Sequence, residues 1–253
     1  MVDLKIREVD LNDIELMIFD KDGTLFELYP YWSVLARKRA ELICDFLRVQ
    51  NPSLIDSLMY AMGIDVQHRR LLPKGPIGVY PRPYIQNRVK EALEGKGYSV
   101  DDDTITNAFV EADKYITDDS ILPNALTPVR GILTFLKSVK GQCKCAIYSY
   151  DLTAKLRKIA GLFSVEDNFD MFLGGDLVDR PKPDPWGAEK ILTSLAVSPD
   201  QTAFIGDSLL DMQCGQSAHC KYLIAVKSDI SDISALRQVA TCIIDDFSEV
   251  EVL

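Results

Sequence analysis

The chain predicts an α/β fold, a Rossmann-like parallel sheet with a helical domain inserted after the first strand. Three observations carry this. The short apolar run Ile14-Glu15-Leu16-Met17-Ile18-Phe19 stops at the acidic turn Asp20-Lys21-Asp22-Gly23-Thr24, as a buried strand does when it brings its last side chains to a sheet edge. Residues 26 to about 121 then show helical spacing. Beyond them, short apolar runs alternate with amphipathic stretches, the pattern of a parallel sheet between helices.

In order along the chain, the first dozen residues are mixed and charged, a lead-in to which no element is assigned. From Tyr31 to about Val49, Val34, Leu35, Leu42, Ile43, Phe46 and Leu47 recur at helical spacing against Arg37, Lys38, Arg39, Glu41 and Asp45, so a long amphipathic helix is expected. A second helix covers Ser53 to Met62 and ends at Gly63. The stretch from Leu72 to Pro83 holds too many Pro and Gly residues for regular structure and is expected to be an ordered, cationic loop. Helices fit Tyr84 to Glu94 and Thr104 to Thr117, the latter capped by Asp102 or Asp103. The insertion is therefore expected to be all-helical over 26–121, hung on Leu25 to Pro30 and Ser120 to Thr127. Two connections of this kind permit a hinge.

In the second half, helices are expected over Pro128 to Lys140, Leu152 to Ala160, Trp186 to Ala196, Met212 to Ala218 and Ile233 to Val239. Strands are expected at Cys145 to Tyr148, Phe169 to Leu173, Thr202 to Ile205, Tyr222 to Val226 and Thr241 to Ile244. Residues 1–25 and 122–253 then form one α/β core. The insertion is expected beside the carboxyl ends of its strands, where such sheets bind ligands.

Composition narrows the function. With 253 residues, 47% of them hydrophobic, the chain can bury a sizeable core. A net charge of -10 argues against non-specific binding to nucleic acid or anionic membrane. No apolar run approaches the roughly 20 residues that cross a bilayer, and the first residues lack the layout of a signal peptide, so a cytoplasmic protein is expected. Cys44, Cys143, Cys145, Cys214, Cys220 and Cys242 form no Cys-x-x-Cys unit and are expected to be reduced thiols. With only His68 and His219 to join them, a structural zinc site is not expected.

The chemistry gathers at strand ends. Asp20 and Asp22, two apart on an extended backbone, share a face, while Lys21 points away and is expected to be exposed or salt-bridged. Two carboxylates so close need a cation between them, or one must be protonated. Ser149 ends one later strand, Lys182 lies in Arg180-Pro181-Lys182-Pro183-Asp184-Pro185, and Asp207 and Asp211 follow Phe204-Ile205. Singly, each has an ordinary explanation: Ser149 a helix cap, Lys182 a solvated lysine, Asp207 and Asp211 charges at a helix start. Together, on one edge of a parallel sheet, they are hard to assign to caps. Four carboxylates offset by one lysine would repel a phosphate unless a hard divalent cation joined them, and oxygen ligands of this kind suit Mg²⁺.

With Asp-x-Asp-Gly-Thr at 20–24, Ser149, Lys-Pro-x-Pro at 182–185 and Gly-Asp-x-x-x-Asp at 206–211, the chain resembles the haloacid dehalogenase superfamily of phosphohydrolases. The insertion resembles its helical C1 cap, and phosphoglycolate phosphatases are the nearest resemblance within it. The resemblance implies that Asp20 attacks phosphorus to form an aspartyl phosphate and that Asp22 is the general acid and base. It further implies that Mg²⁺ is held by Asp20, the Asp22 carbonyl, Asp207 and Asp211, and that Gly23, Ser149 and Lys182 hold phosphoryl oxygens. True dehalogenases lack an acid at the position of Asp22, because a halide leaves without a proton, so phosphate esters are favoured. Lys21 and Tyr150 depart from the usual residues; Tyr150 lies beside the phosphate site and bears on the substrate. Lys74, Arg82 and Tyr84, with Arg69, Arg70 and Tyr80, are the insertion's candidates for substrate recognition. The expected activity is Mg²⁺-dependent hydrolysis of a small phosphorylated metabolite such as phosphoglycolate or a sugar phosphate. The alternatives are a mutase of the β-phosphoglucomutase kind and a non-catalytic relative that binds ligand.

Overall fold

The computed structural model describes all 253 residues, and the chain divides into two compact units, residues 1–27 with 128–253 and residues 28–127. In the first unit, β1 (Val2–Ile6), β2 (Val9–Ile14) and β3 (Leu16–Phe19) open the chain. β1 and β2 fill the lead-in, to which the sequence reading assigns no element: they form an antiparallel hairpin, joined on β1's other edge by the C-terminal strand. That partner lies more than 240 residues away, so no local pattern could announce it.

The second unit contains α1 (Leu28–Phe46), α2 (Pro52–Met62), the two-residue strands β4 (Ile64–Asp65) and β5 (Arg70–Leu71), α3 (Arg82–Glu94), α4 (Asp102–Ile116) and the single turn α5 (Leu122–Ala125). The β4–β5 pair corrects the all-helical expectation. α2 has clear local punctuation at both ends. The Asn51 side chain accepts the N–H groups of Ser53 and Leu54, Pro52 opens the first turn, and Gly63 closes the helix at φ +103°. The cap of α4 is Asp101, not Asp102 or Asp103: its carboxylate accepts the Thr104 N–H at 2.7 Å, while the other two sit inside the first turn.

The remaining core elements are α6 (Ile132–Val139), β6 (Lys144–Tyr148), α7 (Thr153–Leu162), β7 (Met171–Leu173), α8 (Trp186–Leu195), β8 (Thr202–Gly206), α9 (Leu209–Ser217), β9 (Tyr222–Val226), α10 (Ile233–Leu236), β10 (Cys242–Ile244) and β11 (Val250–Val252). α6 starts at Ile132 instead of Pro128, because Phe26 bridges to Pro128 and Gly131 turns the chain at φ +81°. A Cβ on Gly131 would lie 2.7 Å from the Phe247 carbonyl carbon, so this close approach needs glycine. α10 stops at Leu236, three residues before the expected end.

The main sheet is six-stranded and wholly parallel, in the order β10-β9-β8-β3-β6-β7. β3 is central, with Ile18 opposite both Ala146 and Phe204. All four of its residues are buried, which explains an apolar run without alternation. Helices cover its faces, and one side packs Leu16, Ile18, Ala146, Leu173, Ala188, Ile191, Phe204 and Met212 into a single core. β6 and β8 flank β3, so the residues following all three strands emerge at one edge.

Candidate active site

The site grows from β3. The Asp20 N–H still bonds to the Ile205 carbonyl at 2.8 Å, so the strand ladder carries this carboxylate to the sheet edge before the chain turns. The turn then closes on the Lys21 carbonyl, which accepts the N–H groups of Leu25 and Phe26 at 2.9 and 3.1 Å. Gly23 adopts φ +81°, and a Cβ there would lie 2.1 Å from Asp207 Oδ2. Glycine is required by both backbone and neighbour.

β8 delivers Asp207, and the first turn of α9 delivers Asp211. Ser208 caps α9 in a reciprocal capping box with Asp211, whose Oδ2 accepts from the Ser208 hydroxyl at 2.5 Å and from its N–H at 3.1 Å. That leaves Asp211 Oδ1 for Lys182. A side chain on Gly206 would collide with Asp211, its Cβ falling 2.4 Å away.

Lys182 is the hub. Its buried Nζ donates to Asp20 Oδ1 at 2.8 Å, to Asp211 Oδ1 at 2.8 Å and to the Tyr148 carbonyl at 2.9 Å, and sits 4.6 Å from the centre of the Tyr148 ring. Gly187, at the start of α8, makes room for that ring: a Cβ there would lie 2.3 Å from Tyr148 Cζ. The buried Ser149 hydroxyl accepts the Asp151 N–H at 3.2 Å, which leaves its own hydrogen to donate. Ser149 does not cap α7, whose N-cap is Leu152.

Asp20, Asp207 and Asp211 are buried, and one carboxylate oxygen of each lies within 4.8 Å of the others. Burial pushes the Asp20 carboxyl up to about 7, with Lys182 pulling it down and Asp211 and Asp22 pushing it further up. Burial also drives Asp207 well above the usual carboxylate range, aided by the charges of Asp20 and Asp211. One lysine does not neutralise this cluster. An all-oxygen donor set so crowded fits a hard divalent cation, which would remove the reason for two acids to hold their protons.

Asp22 stands apart from the other three carboxylates. Its Oδ1 is 2.6 Å from Lys21 Nζ, and its side chain remains partly exposed. Lys21 does point away from the carboxylate cluster, as expected, and is salt-bridged and buried: its side chain is 1% exposed and is also paired with Asp151 at 2.8 Å. Tyr150 is largely exposed, yet its hydroxyl donates to the Lys182 carbonyl at 2.9 Å.

In the inserted unit, Tyr84 stacks on Tyr80 with ring centres 4.4 Å apart. Arg82 is ion-paired with Asp113, which also takes Arg39 at 3.0 Å. Lys74 lies on the loop at φ +60°. Sequence reasoning missed Ser228 and Ser231. The Ser228 hydroxyl donates to Asp207 Oδ2 at 2.6 Å and the Ser231 hydroxyl to the Asp207 carbonyl at 2.7 Å. They sit after β9, at the same sheet edge; their position past a strand end was the available signal.

A family model described as haloacid dehalogenase-like hydrolase matches residues 14–219. A phosphoglycolate phosphatase from Aquifex aeolicus (strain VF5) is 28% identical over 145 residues, 56% of this chain and 65% of that protein. The chain thus matches less than two thirds of that relative's length. Among solved structures, a predicted phosphoglycolate phosphatase from Haemophilus somnus 129PT superposes with TM-score 0.69 at 20% identity, covering 94% of this chain and 97% of its own. A candidate β-phosphoglucomutase from Thermotoga maritima superposes equally well, at 21% identity over 93% of this chain and 96% of its own. Both share the fold. With the family model spanning most of its length, this chain belongs to the haloacid dehalogenase-like hydrolases.

Proposed function

We propose that the protein is a Mg²⁺-dependent phosphatase of small phosphomonoesters, acting through a phosphorylated Asp20. The observation that carries this reading is the buried Asp20–Asp207–Asp211 cluster bridged by Lys182. The phosphatase relative supports it. Asp20, Asp207, Asp211 and the Asp22 carbonyl would hold the ion. When bound, it supplies charge neutralisation for carboxylates and phosphoryl oxygens during in-line transfer.

Lys182 orients Asp20 through Oδ1, and Asp20 attacks phosphorus through its carboxylate, replacing one difficult displacement by two easier ones. The Ser149 hydroxyl donates to a transferring oxygen, and Lys182, whose three hydrogens go to Asp20, Asp211 and the Tyr148 carbonyl, attracts the phosphoryl group by its charge. The Gly23 N–H expected for this role is already bonded to the Phe26 carbonyl at 2.7 Å, so Gly23 serves by its backbone shape. Asp22 gives a proton to the departing alkoxide and takes one from the water that hydrolyses the acyl phosphate. For substrate choice, we assign roles to Lys74, Arg82 and Tyr84 of the inserted unit and to Tyr150, in favour of phosphoglycolate or a sugar phosphate.

The test is release of inorganic phosphate from a panel of small phosphomonoesters with Mg²⁺ and with EDTA. Mg²⁺-dependent release with a clear preference is expected. Isomerisation of a sugar phosphate through a retained bisphosphate would replace this reading by a mutase; binding without turnover would replace it by a non-catalytic protein.

A further inference from the structure

Burying a lysine is costly unless its ammonium is paired. Lys21 is 1% exposed and meets two carboxylates from different loops, Asp22 Oδ1 at 2.6 Å and Asp151 Oδ2 at 2.8 Å. Asp151 is itself held by Lys155 at 2.8 Å, and its N–H bonds to the Ser149 hydroxyl. The Lys21 main chain is fixed as well, because its carbonyl anchors the turn that follows. Its side chain lines a small apolar pocket with Leu25, Phe26, Ile147 and Leu156. A rigid cation thus joins the loop after β3 to the loop after β6.

From this geometry we infer that Lys21 is a positioning residue: it holds Asp22 by Oδ1, ties it through Asp151 to the Ser149 loop, and so leaves Oδ2 to carry the proton for the leaving group. The inference rests on the reading of Asp22 as acid and base. A carboxyl group can accept at one oxygen while its other oxygen carries the proton. Without Lys21, a partly exposed Asp22 would rotate freely, and proton transfer depends on placement within hydrogen-bond reach.

The leaving group distinguishes positioning from mere support. An alkyl phosphate expels a basic alkoxide that needs the proton; p-nitrophenyl phosphate expels a stable phenolate that does not. The second-order constant kcat/KM ends at the first irreversible step, transfer of the phosphoryl group to Asp20, so it is not masked by later hydrolysis. The experiment compares kcat/KM on a small alkyl phosphate and on p-nitrophenyl phosphate for wild type, Lys21→Met, Asp22→Asn and the double variant. Methionine suits the apolar pocket.

For Lys21→Met, a loss of about 10- to 100-fold is expected on the alkyl ester, part of what general acid catalysis supplies. On the aryl ester the loss should stay within about threefold, and in the Asp22→Asn background Lys21→Met should add nothing. Lys21→Arg should recover part of the alkyl activity. Asp151→Asn, which weakens the far end of the link and keeps its shape, should show the same selectivity and serves if Lys21→Met does not fold. Equal losses on both esters, an undiminished alkyl rate, or multiplying losses in the double variant would overturn the inference while leaving the phosphatase reading intact. Wild type that releases no phosphate from either ester overturns that reading and the inference with it.

Discussion

Asp20 shows how environment determines what a residue can do. The same side chain on a surface turn would be an ordinary carboxylate, but burial raises its acid dissociation to about 7. Asp20→Asn keeps shape and the contact to Lys182 but removes the attacking oxygen. Phosphate release from the best ester should fall by at least about 10⁴-fold, as when a nucleophile is removed from other hydrolases, with an unchanged circular-dichroism spectrum. Wild-type turnover would exclude the covalent route. Legibility at this scale was uneven. The types and spacing of Asp20, Asp22, Lys182, Asp207 and Asp211 suffice to nominate them. The separation of Asp22 from the carboxylate cluster and the burial of Lys21 do not follow from spacing, because side chains on a tight turn no longer obey strand alternation.

At the scale of elements, two short features position the site. The first is the turn after β3. Gly23→Ala places a Cβ in the space of Asp207 Oδ2 and forces a left-handed backbone that costs other residues about 1–2 kcal/mol. The Mg²⁺ concentration for half-maximal activity should rise by roughly tenfold or more, a shift of about 1.4 kcal/mol or greater. A metal titration with unaltered midpoint would contradict this. The second is the start of α9. Ser208→Ala removes the cap and frees Asp211 Oδ2, so thermal denaturation should show a loss of about 1 kcal/mol; no change in melting temperature would show that the cap contributes nothing. The capping box was written locally as Ser208-x-x-Asp211, and the ends of α2 as Asn51-Pro52 and Gly63. The β1–β2 hairpin had a local signal, which the sequence reading passes over, in the alternation of Val2, Leu4 and Ile6, all buried; what no local pattern could give is the pairing of β1 with β11 from the other end of the chain.

Over the whole molecule, the site costs stability when no cation is bound. Asp20 dissociates near 3.8 when unperturbed and near 7 in the folded protein, so the folded state holds a proton that the unfolded state releases. Its contribution is fully present below about pH 4 and is lost as pH rises towards 7; Asp207 acts in the same direction. Asp151 has the opposite sign. Burial works to raise it, but Lys21 and Lys155 outweigh that and hold it at about 2, so its contribution fades as pH falls from about 4 towards 2. Melting temperatures in EDTA should therefore fall between pH 5 and pH 7.5. Millimolar Mg²⁺ should raise them most at the alkaline end, because a ligand of the folded state stabilises by RT ln(1 + [L]/Kd). A melting temperature in EDTA that rises across this interval, or one indifferent to Mg²⁺, would show that the cluster is not a cation site.

By itself, the sequence determined the parallel α/β core, the order of its strands along the chain and the identity of the residues at their ends. Hydrophobic period, glycine and acidic turns are local and act over a few residues. Only the tertiary structure decided that β3 lies between β6 and β8, that Lys182 spans Asp20 and Asp211, that Ser228 and Ser231 support Asp207, and that Lys21 turns inward to join two loops. These are contacts between residues tens to hundreds of positions apart, and burial, which gives each charge its strength, exists only once the sheet has closed around them.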